Sequence, residues 1–121
     1  MEVRKRQSVP KIRARKGGEP LVCLTAYGSA FAYLIDKVAD LILVGDSVGN
    51  VHLGYDSTIP VTLAEMIHHG RAVMRARPQA LVGIDMPFGS YEASPVQAFE
   101  NCVRVLKETG ADAVKLEGGA R

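Results

Sequence analysis

The chain has 121 residues, 47% of them hydrophobic and 23% charged, with a formal net charge of +2. That is enough for one domain with a buried core, and the composition is that of an ordinary α/β protein. No apolar run approaches the roughly 18 residues of a membrane span, and no apolar segment follows the charged N-terminus as in a secretion signal, so the expectation is a cytoplasmic protein without a membrane partner.

The charge is unevenly spread. Residues 1–19 hold seven basic side chains (Arg4, Lys5, Arg6, Lys11, Arg13, Arg15, Lys16) against Glu2 and Glu19, a local +5 that leaves the remainder at −3. The arm lacks the interleaved aromatics of a nucleic-acid binder and the body is mildly acidic, so a solvated terminal helix is expected and nucleic acid is not. The two cysteines, Cys23 and Cys102, have neither a metal-ligand nor a redox spacing and read as buried small hydrophobes.

Ser8-Val9-Pro10 followed by Lys11–Lys16 and Gly17-Gly18 has cap, early proline and terminal glycine in the order of a short helix. Leu21–Thr25 reads as the first strand. Ser29 is placed to cap a helix with Phe31, Leu34, Ile35 and Val38 on one face, and Leu41–Gly45 forms a second, fully buried strand. Residues 46–61 make a long connection rich in Gly, Asp and Ser, of the kind that carries function in compact domains. Thr62 and Glu65 form a capping box for a helix that buries Leu63, Met66, Ile67, Val73 and Met74 and ends before Pro78. Gly70 in its middle costs about 1 kcal/mol relative to Ala. Ala80–Asp85 is the third strand. Ser94-Pro95-Val96-Gln97 opens a helix with Val96, Phe99, Val103 and Leu106 on its apolar face, stopped by Gly110, and Ala113–Leu116 is the fourth strand.

Strict β-α alternation argues for a parallel sheet with right-handed crossovers, either an open doubly wound sheet or part of a (β/α)8 barrel. In both, functional residues gather at the carboxyl ends of the strands. Thr25, Asp46, Asp85 and Glu117 fall there, one per strand, and the alternation of a strand puts Lys115 on the same face as Glu117. Three carboxylates and an amine at one rim suit a hard cation such as Mg²⁺ together with an anionic substrate, the metal polarising a carbonyl as an enolate forms. Ser47 lacks the G-x-S-x-G surroundings of a nucleophile, which leaves it a hydrogen-bonding role. The adjacent His68 and His69 point about 100° apart and cannot chelate one metal as a facing pair. Tyr27, His52 and Tyr55 are open candidates to line the site.

The run Val44-Gly45-Asp46-Ser47-Val48-Gly49, then Leu53-Gly54-Tyr55-Asp56-Ser57-Thr58-Ile59-Pro60-Val61-Thr62, closely resembles the ketopantoate hydroxymethyltransferases. Leu24-Thr25-Ala26-Tyr27, Asp85-Met86-Pro87-Phe88 and Val114-Lys115-Leu116-Glu117-Gly118-Gly119 extend the likeness from about Val9 to Gly119. The resemblance implies a Mg²⁺-dependent (β/α)8 barrel, a homo-oligomer (usually a decamer), that transfers a hydroxymethyl group from 5,10-methylenetetrahydrofolate to 3-methyl-2-oxobutanoate in pantothenate synthesis. It implies Asp46, Ser47, Asp85 and Lys115 as substrate contacts and Asp46, Asp85 and Glu117 as the metal's carboxylates. The family's barrel has eight strands and this sequence reaches four. The expectation is therefore an N-terminal half barrel over residues 20–121, preceded by the basic segment 1–19. Such a chain is a truncated form without the catalytic base, which the family carries on a later strand. Gly28 and Gly70 also depart from the family's usual residues. A half barrel leaves the edges of strands 1 and 4 open, so association or aggregation is expected. Two other readings of the pattern are a non-catalytic half-barrel assembly module and a relative in the phosphoenolpyruvate mutase/isocitrate lyase superfamily.

Overall fold

A computed structural model describes residues 4–119. The elements run α1 (Val9–Ala14), β1 (Cys23–Thr25), α2 (Ser29–Ile35), β2 (Leu41–Val44), α3 (Val48–Val51), α4 (Leu63–Arg75), β3 (Leu81–Asp85), α5 (Pro95–Thr109) and β4 (Ala113–Lys115). All four strands are parallel and lie in the order β1-β2-β3-β4. A doubly wound sheet reverses its strand order at a switch point. This one never does, and right-handed crossovers then place the helices between the strands on the same face, the arrangement of one half of a (β/α)8 barrel.

The core lies between that face and the helices. Ile42, Val44, Val82 and Ile84 are fully buried against Met66 and Val73 of α4. On the opposite face Leu43 and Gly83 are neighbours, so the alternation along β2 and β3 is the one the sequence requires. Gly70 has a packing reason: a Cβ there would stand 2.5 Å from Ile84 Cδ1 and 3.1 Å from Thr109 Cγ2. The missing methyl lets α4 seat closely on β3 and α5. At the end of α5, Gly110 takes φ +76°, the left-handed turn that terminates a helix at little steric cost when the residue is glycine.

Several expectations are corrected. α2 is capped at Gly28 rather than Ser29, and the face expected to be buried is largely open: Phe31, Leu34 and Val38 are 58%, 56% and 61% exposed, Ile35 packs partly buried against the core, and Ala32 is the residue that α2 buries fully. The same holds for α5, where Val96 and Phe99 are 65% and 70% exposed while Val105 and Thr109 are buried. These are the two flanking helices. Only α4, with a helix on each side, buries the face its periodicity predicts. Edge strand β1 is exposed along its length, so Cys23 is exposed rather than a core residue, and both cysteines are free thiols. Residues 46–61 are not all loop, since α3 makes one turn within them.

The Thr62–Glu65 capping box forms as predicted. At α5, Ser94 accepts from the Gln97 amide, but the Gln97 side chain accepts from Ala93 N–H, one residue earlier than a capping box requires.

The basic arm closes the amino-terminal rim of the sheet. Arg4 donates to Asp40, Arg6 to Asp112 and to the carbonyls of Pro78 and Ala80, and Arg15 to Asp40. The same aspartates accept backbone amides: Asp40 from Val22, Asp112 from Val82, while Asp36 accepts from Gln79 and Ala80. α1 itself buries no residue.

Candidate active site

Parallel strands stop pairing at their carboxyl ends, and side chains take over there. The chain leaves β2 through Gly45-Asp46-Ser47 and turns at once into α3, with Val48 N–H on Gly45 O at 3.1 Å. The tightness of the turn explains Gly45, whose Cβ would lie 2.7 Å from Ser47 Oγ. Ser47 stands at the N-cap of α3 without a capping bond, because its hydroxyl pairs with Tyr27 Oη at 2.7 Å. Tyr27 is fixed in turn by its carbonyl, which accepts from Nδ1 of the buried His69 at 2.8 Å. A carbonyl can only accept, so Nδ1 of His69 carries the proton.

Asp85 closes β3 and is the hub. Its side chain is 7% exposed, and both oxygens are engaged: Oδ2 accepts the Asp46 amide at 3.0 Å and Oδ1 accepts Lys115 Nζ at 2.8 Å. Lys115 also reaches Glu117 Oε1 at 2.5 Å. Burial works against the charged ammonium, but the hydrogen bonds and charges of Asp85 and Glu117 outweigh it and hold the Lys115 pKa well above its ordinary value. The hydrogen bond and charge of Lys115 hold Glu117 below the usual carboxylate range. Asp46 goes the other way. Its burial, then the charges of Asp85 and Glu117, raise its pKa beyond what Lys115 and the Thr58 hydroxyl offset.

Asp46, Asp85 and Glu117 border one pocket of about 210 Å³ that is also lined by Thr58, Ile59, Met86, Phe88, Tyr91 and Glu92. Lys115 joins two of its carboxylates, and Ser47 follows the third directly in sequence. Thr25 is not among the lining residues. The His52 ring lies tilted at 6.3 Å from the Tyr27 ring and edge-on at 5.6 Å from the His69 ring. Tyr55 is a loop staple, its hydroxyl donating to Glu65 Oε1 at 2.8 Å. Tyr91 was not foreseen: its hydroxyl donates to Glu117 O at 3.0 Å and accepts from Glu117 N–H at 3.2 Å.

The pocket's donors fit a hard cation in chemistry. They are carboxylate oxygens, and the pKa of Asp46 is raised first by burial and then by the charges of Asp85 and Glu117. Among the described residues no three His, Cys, Asp or Glu side chains stand as a ready-made metal cluster. The ammonium of Lys115, placed between Asp85 and Glu117, accounts for the spacing of that pair.

The sequence model of the family described as "Ketopantoate hydroxymethyltransferase" matches residues 6–121. A 3-methyl-2-oxobutanoate hydroxymethyltransferase of Maricaulis maris (strain MCS10) is 63% identical over 115 residues, covering 95% of this chain and 41% of that protein. One from Parvibaculum lavamentivorans is 60% identical over 117 residues, covering 97% and 43%. The chain thus spans less than half the length of these relatives. Among solved structures, the fold is similar to 2,3-dimethylmalate lyase, a member of the PEP mutase/isocitrate lyase superfamily, with a TM-score of 0.62 and 15% identity over 90% of this chain and 37% of that one.

Proposed function

We propose that this chain, which belongs to the ketopantoate hydroxymethyltransferase family, carries the metal and oxo-acid portion of a 3-methyl-2-oxobutanoate hydroxymethyltransferase site. The reaction joins the one-carbon unit of 5,10-methylenetetrahydrofolate, with water supplying its hydroxyl, to C3 of 3-methyl-2-oxobutanoate in place of a proton, giving 2-dehydropantoate for pantothenate synthesis and releasing tetrahydrofolate. Turnover, the folate donor and the homo-oligomer are part of this proposal, because the matched relatives are spanned over only 41% and 43% of their length.

One observation carries the reading. Three successive strands each deliver a carboxylate to one pocket, and a lysine bridges two of them. Asp46, Asp85 and Glu117 are the carboxylates offered to Mg²⁺, an ion that keeps several waters and takes only one or two carboxylates directly, so a compact triad is not required. Bound there, it would supply the Lewis acidity that loosens the C–H beside the keto group. The rest falls to the chain's own side chains. Lys115, held protonated, offsets the charge of the oxo acid. When Ser47 accepts from Tyr27, its own hydrogen is free to donate to a substrate oxygen. Ile59, Met86 and Phe88 give the pocket an apolar wall for a branched alkyl group.

Calorimetric titration tests this. The expected result is saturable binding of 3-methyl-2-oxobutanoate that requires Mg²⁺ and weakens at least tenfold in Asp46→Ala. A folded chain that binds neither ligand would overturn the proposal and favour a non-catalytic assembly module.

A further inference from the structure

The ladder between β3 and β4 ends with the Asp85–Lys115 pair and one further bond, from Met86 N–H to Lys115 O at 2.9 Å. Glu117 lies two residues beyond, at an open sheet edge, with its side chain 71% exposed. Nothing in the ladder fixes its backbone. A single hydroxyl does so instead, since Tyr91 Oη donates to Glu117 O and accepts from Glu117 N–H.

Tyr91 is itself well anchored. Its ring packs against the core from the segment joining β3 to α5. That segment is cross-braced by Asn101 Nδ2 on Ser90 O at 2.7 Å, Gln97 Nε2 on Gly89 O at 3.1 Å, and Gly89 N–H on Glu92 Oε2 at 2.7 Å. Tyr91 and Glu117 both line the pocket.

We propose that Tyr91 is a positioning residue: its hydroxyl holds the Glu117 backbone so that the Glu117 carboxylate stays beside Lys115 at the pocket rim. Glu117 lies beyond the last bond of the β3–β4 ladder, and a carboxylate on a backbone that the ladder does not hold spends little time at any one place. The Tyr91 tether converts it into a fixed charge and couples the β3–α5 segment to the end of β4. The functional half of this inference rests on the proposed metal site, and its structural half does not.

The test uses Tyr91→Phe, which keeps the ring and removes only the hydroxyl. Hydrogen exchange of the Glu117 amide is expected to quicken about tenfold, from loss of the Tyr91 hydroxyl, its one acceptor among the described residues. The unfolding midpoint is expected to stay within about 2 °C of wild type, because the lost bonds lie at an exposed edge. Mn²⁺, used as a paramagnetic probe of the metal site, is expected to bind about threefold to fivefold more weakly. In a Glu117→Gln background the same Tyr91→Phe change should leave Mn²⁺ affinity unaltered, because the residue through which Tyr91 acts is already disabled. Unchanged Glu117 exchange overturns the tether. Equal Mn²⁺ losses in both backgrounds overturn its action through Glu117. If the wild-type chain binds no Mn²⁺, the metal reading fails, and exchange at Glu117 alone then decides the role of Tyr91.

Discussion

Gly70→Ala sets helix propensity against packing at one atom. Propensity alone makes alanine in the interior of α4 more stable than glycine by about 1 kcal/mol. The structure opposes that gain, because the new methyl would meet Ile84 Cδ1 at 2.5 Å and Thr109 Cγ2 at 3.1 Å. Neither neighbour yields freely. Ile84 is fully buried, and Thr109 is held by its hydroxyl, which donates to Val105 O at 2.7 Å and accepts from Ala111 N–H at 3.1 Å. Overpacking of this kind costs about 1–3 kcal/mol. The expected net effect is a loss of about 1 kcal/mol, a fall of roughly 4 °C in Tm, read by urea and thermal unfolding. Ile84→Val removes the clashing Cδ1 and by itself costs about 1 kcal/mol. Combined with Gly70→Ala it should restore nearly wild-type stability, because the cavity accepts the new methyl and the propensity gain is released. A Gly70→Ala chain that is more stable than wild type, or a double variant whose losses simply add, would refute this reasoning.

Three further outcomes follow from the two rims of the sheet. Lys115→Met removes the ammonium that competes with a cation for Asp85, so Mg²⁺ binding should strengthen about fivefold to tenfold at low salt and less at high salt, while oxo-acid binding weakens; calorimetry at two ionic strengths checks it. Asp40→Ala should cost about 1 kcal/mol in urea unfolding at pH 7, since it removes the acceptor of the Val22 amide and the carboxylate shared by Arg4 and Arg15, which keep their bonds to backbone carbonyls. The pKa of Asp40 is lowered in the fold, first by the Val22 amide and then, against a smaller effect of burial, by Arg15 and Arg4. Its contribution is therefore complete above the ordinary aspartate range near pH 4 and lost as pH falls through the lowered value, so the acid limb of the stability curve should flatten in Asp40→Asn.

Periodicity made the parallel β-α alternation legible, and Thr62–Glu65 marked the start of α4 correctly. Side-chain alternation made Asp85, Lys115 and Glu117 legible as one face once β3 and β4 were placed, but not Asp46: it lies beyond β2, in step with the buried Ile42 and Val44, and the Gly45-Asp46-Ser47 turn is what brings it to the pocket. What was hidden has specific causes. α3 is four residues long, too short for a helical period to show. The apolar faces of α2 and α5 match buried helices in pattern, but a pattern does not say whether a neighbour is present, and in these residues the outer sides of both helices have none. Asp36, Asp40 and Asp112 resemble ordinary turn residues until Arg4, Arg6 and Arg15 are brought to that rim from far along the chain. Tyr91 acts on the backbone of Glu117, 26 residues away, and no local spacing announces that.

The two rims use the same residue type to opposite ends. At the amino-terminal rim Asp40 receives an amide and two guanidinium groups, and its pKa is lowered: its charge has found partners within the fold. At the carboxyl-terminal rim Asp46 donates its own amide to Asp85, yet its carboxyl is raised by burial and by two neighbouring carboxylates. An aspartate whose ionised form the fold favours contributes stability; one whose ionised form the fold disfavours subtracts from it unless something else supplies positive charge. That opposition separates Asp40, which helps hold the sheet together, from Asp46, the aspartate proposed to take a ligand. It also gives a sign: at neutral pH Asp46→Asn should raise the unfolding midpoint while abolishing Mg²⁺ binding, a gain in stability at the expense of the site. A stabilised variant with intact Mg²⁺ affinity would remove Asp46 from the metal site, and a destabilised one would mean that its charge is already satisfied within the fold.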